Sequence, residues 1–588
     1  MRKLFLYCLL FLISTLPLSA QCRVNIKNQR DFDSLSLILK NAIGNNNGNR
    51  IVIKIRKGSY FFNDDHLKLT GIQAFDKSVL LVGKNVNLIS RGEDYKDGDI
   101  YNGVFSYNNS YVSTCGDDIP FWTHVKQSDR LIEVVDEQKK ICRLHCDGVP
   151  DVTETSTQNA FIRIPAWYLS YVYKIIKIDK GYIYFSASNL ARSYGGGWNV
   201  NDDFNYGKKS IRFYLCNVDT GEDDNVLKII DGRIHLPRGV KSVHENRTGK
   251  FALISQCKFK LFSIKGLNYI GNSSSASKPL IDIIDTKNAE GINISNCSFN
   301  AIKGRCISVR NTNDVVVKSN FFKDCYGTAI LSNSNSARTK VIDNSFESMG
   351  KGMWNTFCVQ CSGAEHFISD NRIVNFGYGA IAVGEHYKEV GETNSSGIIE
   401  RNKIYYTDDY KKSVLDKTLM DAGAIYLWTK NNGEIIRYNF IRGYTGVYDN
   451  RGIFCDDGAF GFSIYGNIIQ GIDNSYCIDS RRYMAAENSV GRTNINNKVY
   501  DNIIDGTIRF EGNEIDSNGC EYGSNYFLTT NRTNLSKQIV KNAKMTGDDL
   551  SVEFVGEIRG KIGLSSDGYK TVKKSKEWKF MKKNVVKK

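Results

Sequence analysis

The sequence predicts an all-β protein, a right-handed parallel β-helix with an inserted β-rich domain. Three observations lead to this fold class. The second half of the chain repeats the pattern aliphatic, two residues, Asn, one residue, Ile or Phe, from VKSNFF at Val317 to VYDNII at Val499. The apolar runs within each repeat are short and alternate with period two, without a helical period. The repeats have a minimum length and a variable excess, which is typical of stacked units with insertions in loops on one face.

The recurring asparagine marks one structural unit per repeat. Two earlier copies of the pattern carry Leu267 and Cys297 at its position. Asparagine tolerates a left-handed backbone, and its amide can hydrogen-bond to equivalent residues above and below. An array of hairpins, as in a propeller, is the alternative, but it requires longer units with paired turns. The asparagines are Asn320, Asn344, Asn371, Asn402, Asn439, Asn467 and Asn502, at intervals of 24, 27, 31, 37, 28 and 35 residues.

Residues 1–20 have the pattern of a secretory signal peptide. Arg2 and Lys3 precede an apolar stretch, and small residues end it at Ala20. We therefore expect an exported protein that is periplasmic, secreted or on the cell surface. A lipid anchor at Cys22 is an alternative, although Gln21 stands where a small residue is usual. No other segment reaches the roughly 18 apolar residues of a membrane span, so we expect no transmembrane segment. We also expect a monomer.

The rest of the chain divides into four parts. Residues 21–97 carry a helical pattern from Phe32 and strand-like runs, and we expect an N-terminal cap and first coil, because a β-helix end exposes unpaired backbone groups. Residues 98–247 lack the repeat but show β alternation and glycine-rich turns, which indicates the inserted domain. Residues 248–527 form the predicted β-helix. Residues 528–588 are expected to form a C-terminal cap and a basic tail.

The net charge of +15 is concentrated at the C-terminus. The last twenty residues contain nine Lys and one Glu, and together they carry a net charge of +8. This distribution indicates a solvated tail rather than a basic domain. No nucleic-acid partner is expected, since the chain is exported and lacks a recognisable nucleic-acid-binding motif.

The cysteines fall into two groups. Cys297, Cys306, Cys325 and Cys455 lie within repeats, where buried thiols are expected. The Cys358–Cys361 pair has no second pair at metal-binding spacing, so no metal site is predicted. Cys142 and Cys146 lie outside the repeats and are the better candidates for a disulfide, which an exported protein permits.

The candidate site lies in residues 452–483, where Asp456 and Asp479 each follow a short apolar strand, 23 residues apart. Alternation along the strands predicts that both carboxylates point outward from adjacent coils, aligned with each other. Tyr426 and Trp428 are placed on the same outer face one coil earlier. Glu385 and His386 lie in the coil before that one.

Paired carboxylates flanked by aromatic, His and Arg side chains suit a glycan-cleaving cleft. Carboxylates serve as acid, base or nucleophile, and aromatic faces stack on sugar rings. Asp457 and Asp421 are further catalytic candidates, and Arg481 and Arg482 are placed to grip an acidic sugar group. These candidates have structural alternatives: Asp456 or Asp457 as a strand-end cap, and Asp479 as a solvated loop carboxylate. His386 is alternatively an ordinary surface residue, and Arg481 and Arg482 alternatively pair with neighbouring acids.

The segment from GIFCDD to CIDSRR resembles the catalytic region of right-handed β-helix glycoside hydrolases with a pectate-lyase-like fold, including β-xylosidase-like and α-L-fucosidase-like families. In the xylosidase-like pattern an Asp ending a "GI-aromatic-x-D" strand is the nucleophile, and an acidic residue one coil later is the acid/base. The resemblance therefore implies these roles for Asp456 and Asp479. Asp479 departs from the Glu of that pattern, and Asp457 creates a double acid closer to the fucosidase-like pattern.

The predicted function is a secreted glycoside hydrolase that cleaves a poly- or oligosaccharide without a cofactor. Aligned carboxylates on adjacent coils would lie roughly 5–6 Å apart, which predicts a retaining mechanism. A polysaccharide lyase acting by β-elimination is the first alternative, with Lys388 or the arginines as base and acids holding Ca²⁺. A non-catalytic glycan-binding β-helix is the second.

Overall fold

The structure is a computed structural model of the chain. It describes residues 21–45, 48–100, 124–147, 149, 151, 160–166, 169–187, 199–205, 211–216, 218, 228–230, 232–236, 238–246, 249–271, 279–350, 356–384, 396–413, 422–428, 433–444, 450–456, 459, 461–472, 476–480, 497–506, 508–510, 521–523, 525–527, 544–545, 550–553, 561–563 and 579. The predicted signal peptide lies outside these residues.

Three parallel sheets run along the molecule, and a typical coil contributes one strand to each sheet. This arrangement confirms the predicted all-β parallel β-helix. The first sheet contains Gln21–Ile26, Arg50–Ile55, Gln73–Ser90, Lys258–Ile270, Ile292–Ser295, Val315–Lys318, Lys340–Ile342, Ala364–Ser369, Ser396–Glu400, Ile435–Arg437, Ser463–Tyr465, Lys498–Tyr500 and Glu521–Gly523.

The second sheet shares the two long strands Gln73–Ser90 and Lys258–Ile270 with the first. Its other strands are Gly58–Phe62, Ser298–Asn300, Phe321–Lys323, Ser345–Met349, Arg372–Phe376, Lys403–Tyr405, Phe440–Arg442, Ile468–Gln470, Ile503–Asp505, Tyr526–Phe527 and Lys544–Met545. The third sheet contains Leu67–Thr70, Ala252–Ser255, Ile281–Ile284, Ile307–Arg310, Ile330–Ser332, Phe357–Cys361, Gly379–Val383, Ala422–Leu427, Asn450–Cys455, Ile478–Ser480 and Ile508–Phe510.

The recurring asparagines form a continuous ladder at the corner between the first and second sheets. The Nδ2 atom of each donates to Oδ1 of the next over 2.9–3.0 Å, from Asn320 to Asn525. Each Oδ1 also accepts the backbone N–H of the preceding asparagine, as Asn402 does from Asn371 at 3.1 Å. The predicted amide contacts between equivalent residues are thus confirmed, and Asn525 extends the ladder by one coil.

The left-handed backbone lies one residue earlier than the sequence suggested. The residues directly before Asn320 to Asn502, among them Ser319, Asp370 and Arg401, have φ of 53–65°. The asparagines themselves are not among the residues with positive φ. The side-chain amide of each ladder asparagine thus stabilises the corner between the two sheets, and the residue before it adopts the left-handed backbone.

The core between the sheets is apolar and stacked. Phe299, Phe322 and Phe346 on successive coils stack with ring centroids 4.7 Å apart and nearly parallel planes. The repeat cysteines Cys297, Cys306, Cys325 and Cys455 are buried free thiols, as predicted. Burial raises the pKa of Cys297 to about 11, consistent with an inert core residue.

Parallel stacking begins earlier than the sequence indicated. Strand Gln21–Ile26 already pairs in parallel with Arg50–Ile55. Helices Gln29–Asp33 and Leu35–Gly44 lie between these two strands in the chain, and the second packs against Leu67–Thr70. Its apolar face buries Leu35, Leu39 and Ile43 and covers the end of the core.

A seven-stranded antiparallel sheet interrupts the β-helix between Gln73–Ser90 and Lys258–Ile270. Its strands, in spatial order, are His124–Ser128, Ile211–Cys216, Phe161–Ala166, Leu169–Asp179, Tyr182–Ser186, Ile141–His145 and Glu133–Asp136. The π-helical turn Asn201–Asn205 and the ribbon Lys228–Ile230 with Arg233–His235 belong to the same insertion. Gly92–Tyr95 and Val243–Asn246 pair antiparallel where the chain leaves and re-enters the β-helix.

Cys142 and Cys146, the two candidates for a disulfide, do not form one. Both are buried free thiols. Cys142 lies within strand Ile141–His145 and Cys146 directly follows it, so an extended backbone holds the two residues apart. Burial raises the pKa of Cys142 to about 12.

Two further elements complete the described chain. Helix Asp408–Ser413 lies in the insertion after Asn402, and Leu550–Glu553 pairs antiparallel with Lys561–Gly563 near the C-terminus. Among the described residues, no helix has the length and apolar character needed to cross a membrane.

Candidate functional site

The residues of the third sheet become more buried from the N-terminal to the C-terminal coils. Strand Ile307–Arg310 ends in an exposed arginine, and in Ile330–Ser332 burial alternates. In Gly379–Val383, Ala422–Leu427 and Asn450–Cys455, every residue is buried. Since alternate residues of a strand point to opposite faces, both faces of these later strands are covered.

The long insertions predicted from the asparagine intervals come directly before or after strands of this sheet in the sequence. Residues 385–395 follow Gly379–Val383, and residues 481–496 follow Ile478–Ser480. The insertion after Asn402, which includes helix Asp408–Ser413, instead precedes Ala422–Leu427. Each of these stretches is therefore adjacent in sequence to a buried strand of the third sheet.

Strand pairing corrects the predicted alignment of the two aspartates. Phe454, not Asp456, lies opposite Asp479, and Tyr426 lies opposite Phe454. Asp456 follows the end of its strand two residues beyond Phe454, on the same face of the coil. Asp456 and Asp479 are therefore offset by two residues along the strand direction. Their alignment, on which the predicted 5–6 Å separation rested, is wrong.

Asp456 lies at the C-terminal end of strand Asn450–Cys455 with 6% of its surface exposed. The Tyr426 hydroxyl donates to its Oδ2 atom over 2.5 Å. The Asp456 N–H donates to Leu427 O over 2.8 Å, and its carbonyl accepts the Ala459 N–H over 2.9 Å. The carboxylate is thus fixed by side-chain and backbone contacts from two coils.

Aromatic rings form a continuous layer next to Asp456. The ring centroid of Tyr426 lies 4.5 Å from that of Trp428 and 5.1 Å from that of Phe454. Phe357 lies 5.6 Å from Trp428 in the coil two earlier. Tyr426 and Trp428 are both buried, so their rings pack on each other and form a wall beside the carboxylate.

Asp479 forms a fully buried ion pair that the sequence did not predict. Arg451 Nε donates to its Oδ2 atom over 2.7 Å, and both side chains are 0% exposed. The guanidinium also lies over the Phe454 ring, with Cζ 3.9 Å from the centroid. Asp479 is therefore not a solvated loop carboxylate, because it lies in strand Ile478–Ser480 and is neutralised by a buried cation.

Arg451 and Phe454 were not identified as site residues from the sequence. The available signal was an arginine directly before the apolar run GIFC, opposite Gly423 of the preceding coil. At the neighbouring Gly452, an added Cβ would lie 2.5 Å from Cys477 O. The two strands thus approach closely at this point, next to the ion pair.

The remaining predicted site residues, Asp421, Asp457, Glu385, His386, Arg481 and Arg482, lie outside the described residues. So does Lys388, the lyase candidate. Within the described ranges, no three His, Cys, Asp or Glu side chains converge on a point where they could hold a metal ion.

Comparison with known proteins identifies similar structures but no similar sequences. No family model matches the chain, and no curated protein matches it. A solved structure described as a glycoside hydrolase has a TM-score of 0.52 and 11% sequence identity, covering 89% of this chain and 99% of its own.

Two other solved structures are more distant. A surface adhesin of Streptococcus pneumoniae has a TM-score of 0.38 and 9% identity, covering 91% of this chain and 90% of its own. A PL6 family alginate lyase has a TM-score of 0.34 and 9% identity, covering 93% of this chain and 57% of its own. At these identities the similarity establishes the fold: this chain is a parallel β-helix protein that shares its architecture with the glycoside hydrolase.

Proposed function

We propose that the chain is an exported carbohydrate-active enzyme, a glycoside hydrolase whose reacting carboxylate is Asp456. The observation that carries this proposal is the hydrogen bond from Tyr426 to Asp456 Oδ2, at the end of a covered strand beside an aromatic wall. A carboxylate held in one orientation is what attack on an anomeric carbon, or activation of a water, requires. The glycoside hydrolase of similar fold provides a precedent for this architecture.

Tyr426 acts in this proposal as a positioning residue. Its hydroxyl donates to the Oδ2 atom of Asp456 and thereby orients the carboxylate. The phenol is itself held between Trp428 and Phe454, so its direction is fixed by packing. This role differs from the sugar-stacking role predicted from the sequence, since Tyr426 is only 5% exposed.

Asp479 is better suited to be the counter-ion of Arg451 than the acid/base partner of Asp456. A general acid must carry a proton to the leaving group, whereas Asp479 lies against a buried guanidinium. We therefore assign Asp479 a structural role and keep Asp421 and Asp457 as candidates for the second carboxylate.

The stereochemistry of the reaction provides a check on this assignment. An offset of one strand and two residues places the Cα atoms of Asp456 and Asp479 about 8 Å apart. Retaining enzymes need carboxyl groups about 5–5.5 Å apart, and inverting enzymes about 6.5–9.5 Å. A retained product would agree with a second reacting carboxylate other than Asp479. An inverted product would instead support Asp479 as the catalytic partner of Asp456.

A glycan panel tests the proposed function. The purified chain is incubated with neutral and acidic polysaccharides, and both new reducing ends and unsaturated-uronate absorbance are measured. We expect reducing ends without the unsaturated product. An unsaturated product would favour a lyase, and binding without any product would favour a non-catalytic glycan-binding protein.

A matched pair of variants connects the activity to the site. Asp456→Asn should reduce turnover on the best substrate by at least several hundred-fold, the order lost with an acid, base or nucleophile. Asp76→Asn removes an exposed carboxylate far along the stack, in strand Gln73–Ser90, and should leave turnover unchanged. Equal activity of both variants would refute the assignment of Asp456.

A further inference from the structure

A concave groove lies on the outer face of the first sheet, near the N-terminal end of the stack. Its volume is about 540 Å³. It crosses strands Arg50–Ile55, Gln73–Ser90, Lys258–Ile270 and Ile292–Ser295, so it occupies a different sheet and different coils from Asp456. The lining residues are Asn49, Arg50, Ser78, Val79, Leu80, Lys260, Leu261, Ser263, Lys265, Asn293 and Ser295.

The charges of the groove are all positive. Arg50, Lys260 and Lys265 line it and are exposed, and none of the described lining residues carries a carboxylate. Lys260 forms an ion pair with Glu290 at 3.3 Å outside the lining, but both side chains are about half exposed, which makes the pair weak. The groove therefore attracts an anion.

The cations continue along one row of the sheet. Strand pairing places Lys54, Lys265 and Lys318 in the same outward row, with Val82 and Ser295 on the strands between them. Strands of a sheet are about 4.8 Å apart, so cations on alternate strands repeat at about 10 Å. A row of this kind matches a ligand with regularly repeated negative charges.

The floor of the groove offers uncharged hydrogen-bonding groups. Ser263 and Ser295 are almost fully buried there. The Oδ1 atom of Asn293 is buried and has no hydrogen-bond partner among the described residues. Buried acceptors are normally satisfied, so this atom points to a ligand that brings a hydrogen-bond donor such as a hydroxyl group.

We propose that this groove binds an acidic polysaccharide. Its carboxylate or sulfate groups contact Arg50, Lys260 and Lys265 in the groove. They continue along the row of Lys54, Lys265 and Lys318, and a sugar hydroxyl donates to Asn293 Oδ1. A single-stranded nucleic acid also carries repeated charges, but none of the lining residues is aromatic, so its bases find no stacking surface. The inference does not depend on the proposed catalytic site.

Affinity measurements on the full-length chain test the proposal. The probes are polygalacturonate and chondroitin sulfate, with dextran as a neutral polymer, inorganic sulfate as a free anion and a single-stranded DNA. The variant Arg50→Gln/Lys260→Gln/Lys265→Gln removes three charges from the groove. The control Lys40→Gln/Lys139→Gln/Lys241→Gln removes three exposed charges elsewhere and changes the net charge equally.

The groove variant should bind the acidic polysaccharides about tenfold more weakly, as expected for three exposed ionic contacts, and the control should bind like the wild type. Asn293→Ala should weaken polysaccharide binding but not the binding of inorganic sulfate. Equal loss in both triple variants would overturn the proposal, since binding would then follow net charge or the basic tail. Tighter binding of DNA, equal binding of dextran, or wild-type binding by the groove variant would also overturn it.

Discussion

The asparagine ladder and the outer face of the third sheet belong to the same coils but are held together in different ways. In the ladder, each side chain contacts its own equivalent in the next coil, as Asn371 and Asn402 do. On the third sheet, Tyr426 contacts Asp456 and Arg451 contacts Asp479. Here the contacting residues differ in type and do not lie opposite each other in the strand pairing. Repetition stabilises the first region, and departures from repetition create the second.

The largest effect on stability is expected in the ladder. Asn402→Ala removes the acceptor for two N–H groups of Asn371 and the donor to Ile368 O and Asn439 Oδ1. A buried polar group left unsatisfied costs about 1–3 kcal/mol, so we expect a loss of about 5 kcal/mol in the free energy of unfolding. Chemical denaturation measures it. Asn300→Ala, at an exposed position of the second sheet, is the control and should change stability by under about 0.5 kcal/mol.

The buried ion pair should give the next largest effect. Asp479→Asn leaves Arg451 buried without its counter-ion, and breaking such a pair costs about 3–4 kcal/mol. The double variant Arg451→Met/Asp479→Leu removes both charges and should recover most of this loss. Thermal and denaturant unfolding of the three chains measure the difference. A single variant as stable as the wild type would show that the pair does not hold the site together.

A second buried pair predicts a pH-dependent stability. His366 Nε2 lies 2.6 Å from Glu434 Oε1, and both side chains are buried. Burial opposes a charged imidazole, but the Glu434 carboxylate and the hydrogen bonds outweigh it and raise the pKa of His366 above 6.5. The contribution of the protonated His366 to the free energy of unfolding is therefore complete below about pH 6.5. It is lost as the pH rises through the higher pKa of His366 in the folded state.

Unfolding curves recorded from pH 5.5 to pH 9 reveal this contribution. The wild type should lose stability relative to His366→Gln as the pH rises through this window. The neighbouring Cys361 thiol is kept protonated, because burial and then Glu434 raise its pKa. A difference between the two chains that stays constant with pH would contradict the charged pair.

The smallest effect is expected in the phenylalanine stack. Phe322→Leu loses two stacking contacts, each worth about 0.5–1.5 kcal/mol, so unfolding should become easier by about 2 kcal/mol. Phe321 lies next to it in the same strand but points outward and is 38% exposed. Phe321→Leu should therefore be nearly neutral in the same denaturation assay, and equal losses would refute the stacked core.

The ladder and the coil stack were predictable because the period of the sequence fixes which residues meet. Asn320 and Asn344 occupy the same place in successive coils, so their contact follows from their spacing alone. The left-handed backbone was assigned to the wrong residue, since the tolerance of asparagine for this conformation does not show which corner residue adopts it. Ser319 and Asp343 adopt it instead.

The site was only partly predictable, because alternation determines the face of a residue but not its register. Alternation suggested that Asp456 and Asp479 lie opposite each other, yet strand pairing puts Phe454 opposite Asp479. The role of Arg451 depends on contacts across coils, with Asp479 and Phe454, that have no counterpart in the repeat. Cys142 and Cys146 were misjudged for a similar reason, since exported cysteines are permitted but not required to pair.

Turnover and thermal stability of Asp456→Asn and Asp479→Asn, measured side by side, test the division between a reacting and a structural aspartate. We expect Asp456→Asn to unfold near the wild-type temperature and to lose at least several hundred-fold in turnover per folded molecule. We expect Asp479→Asn to unfold at a lower temperature and to keep most of its turnover at temperatures where it is folded. The reverse pattern, an inactive but stable Asp479→Asn chain beside an active Asp456→Asn chain, would contradict the account.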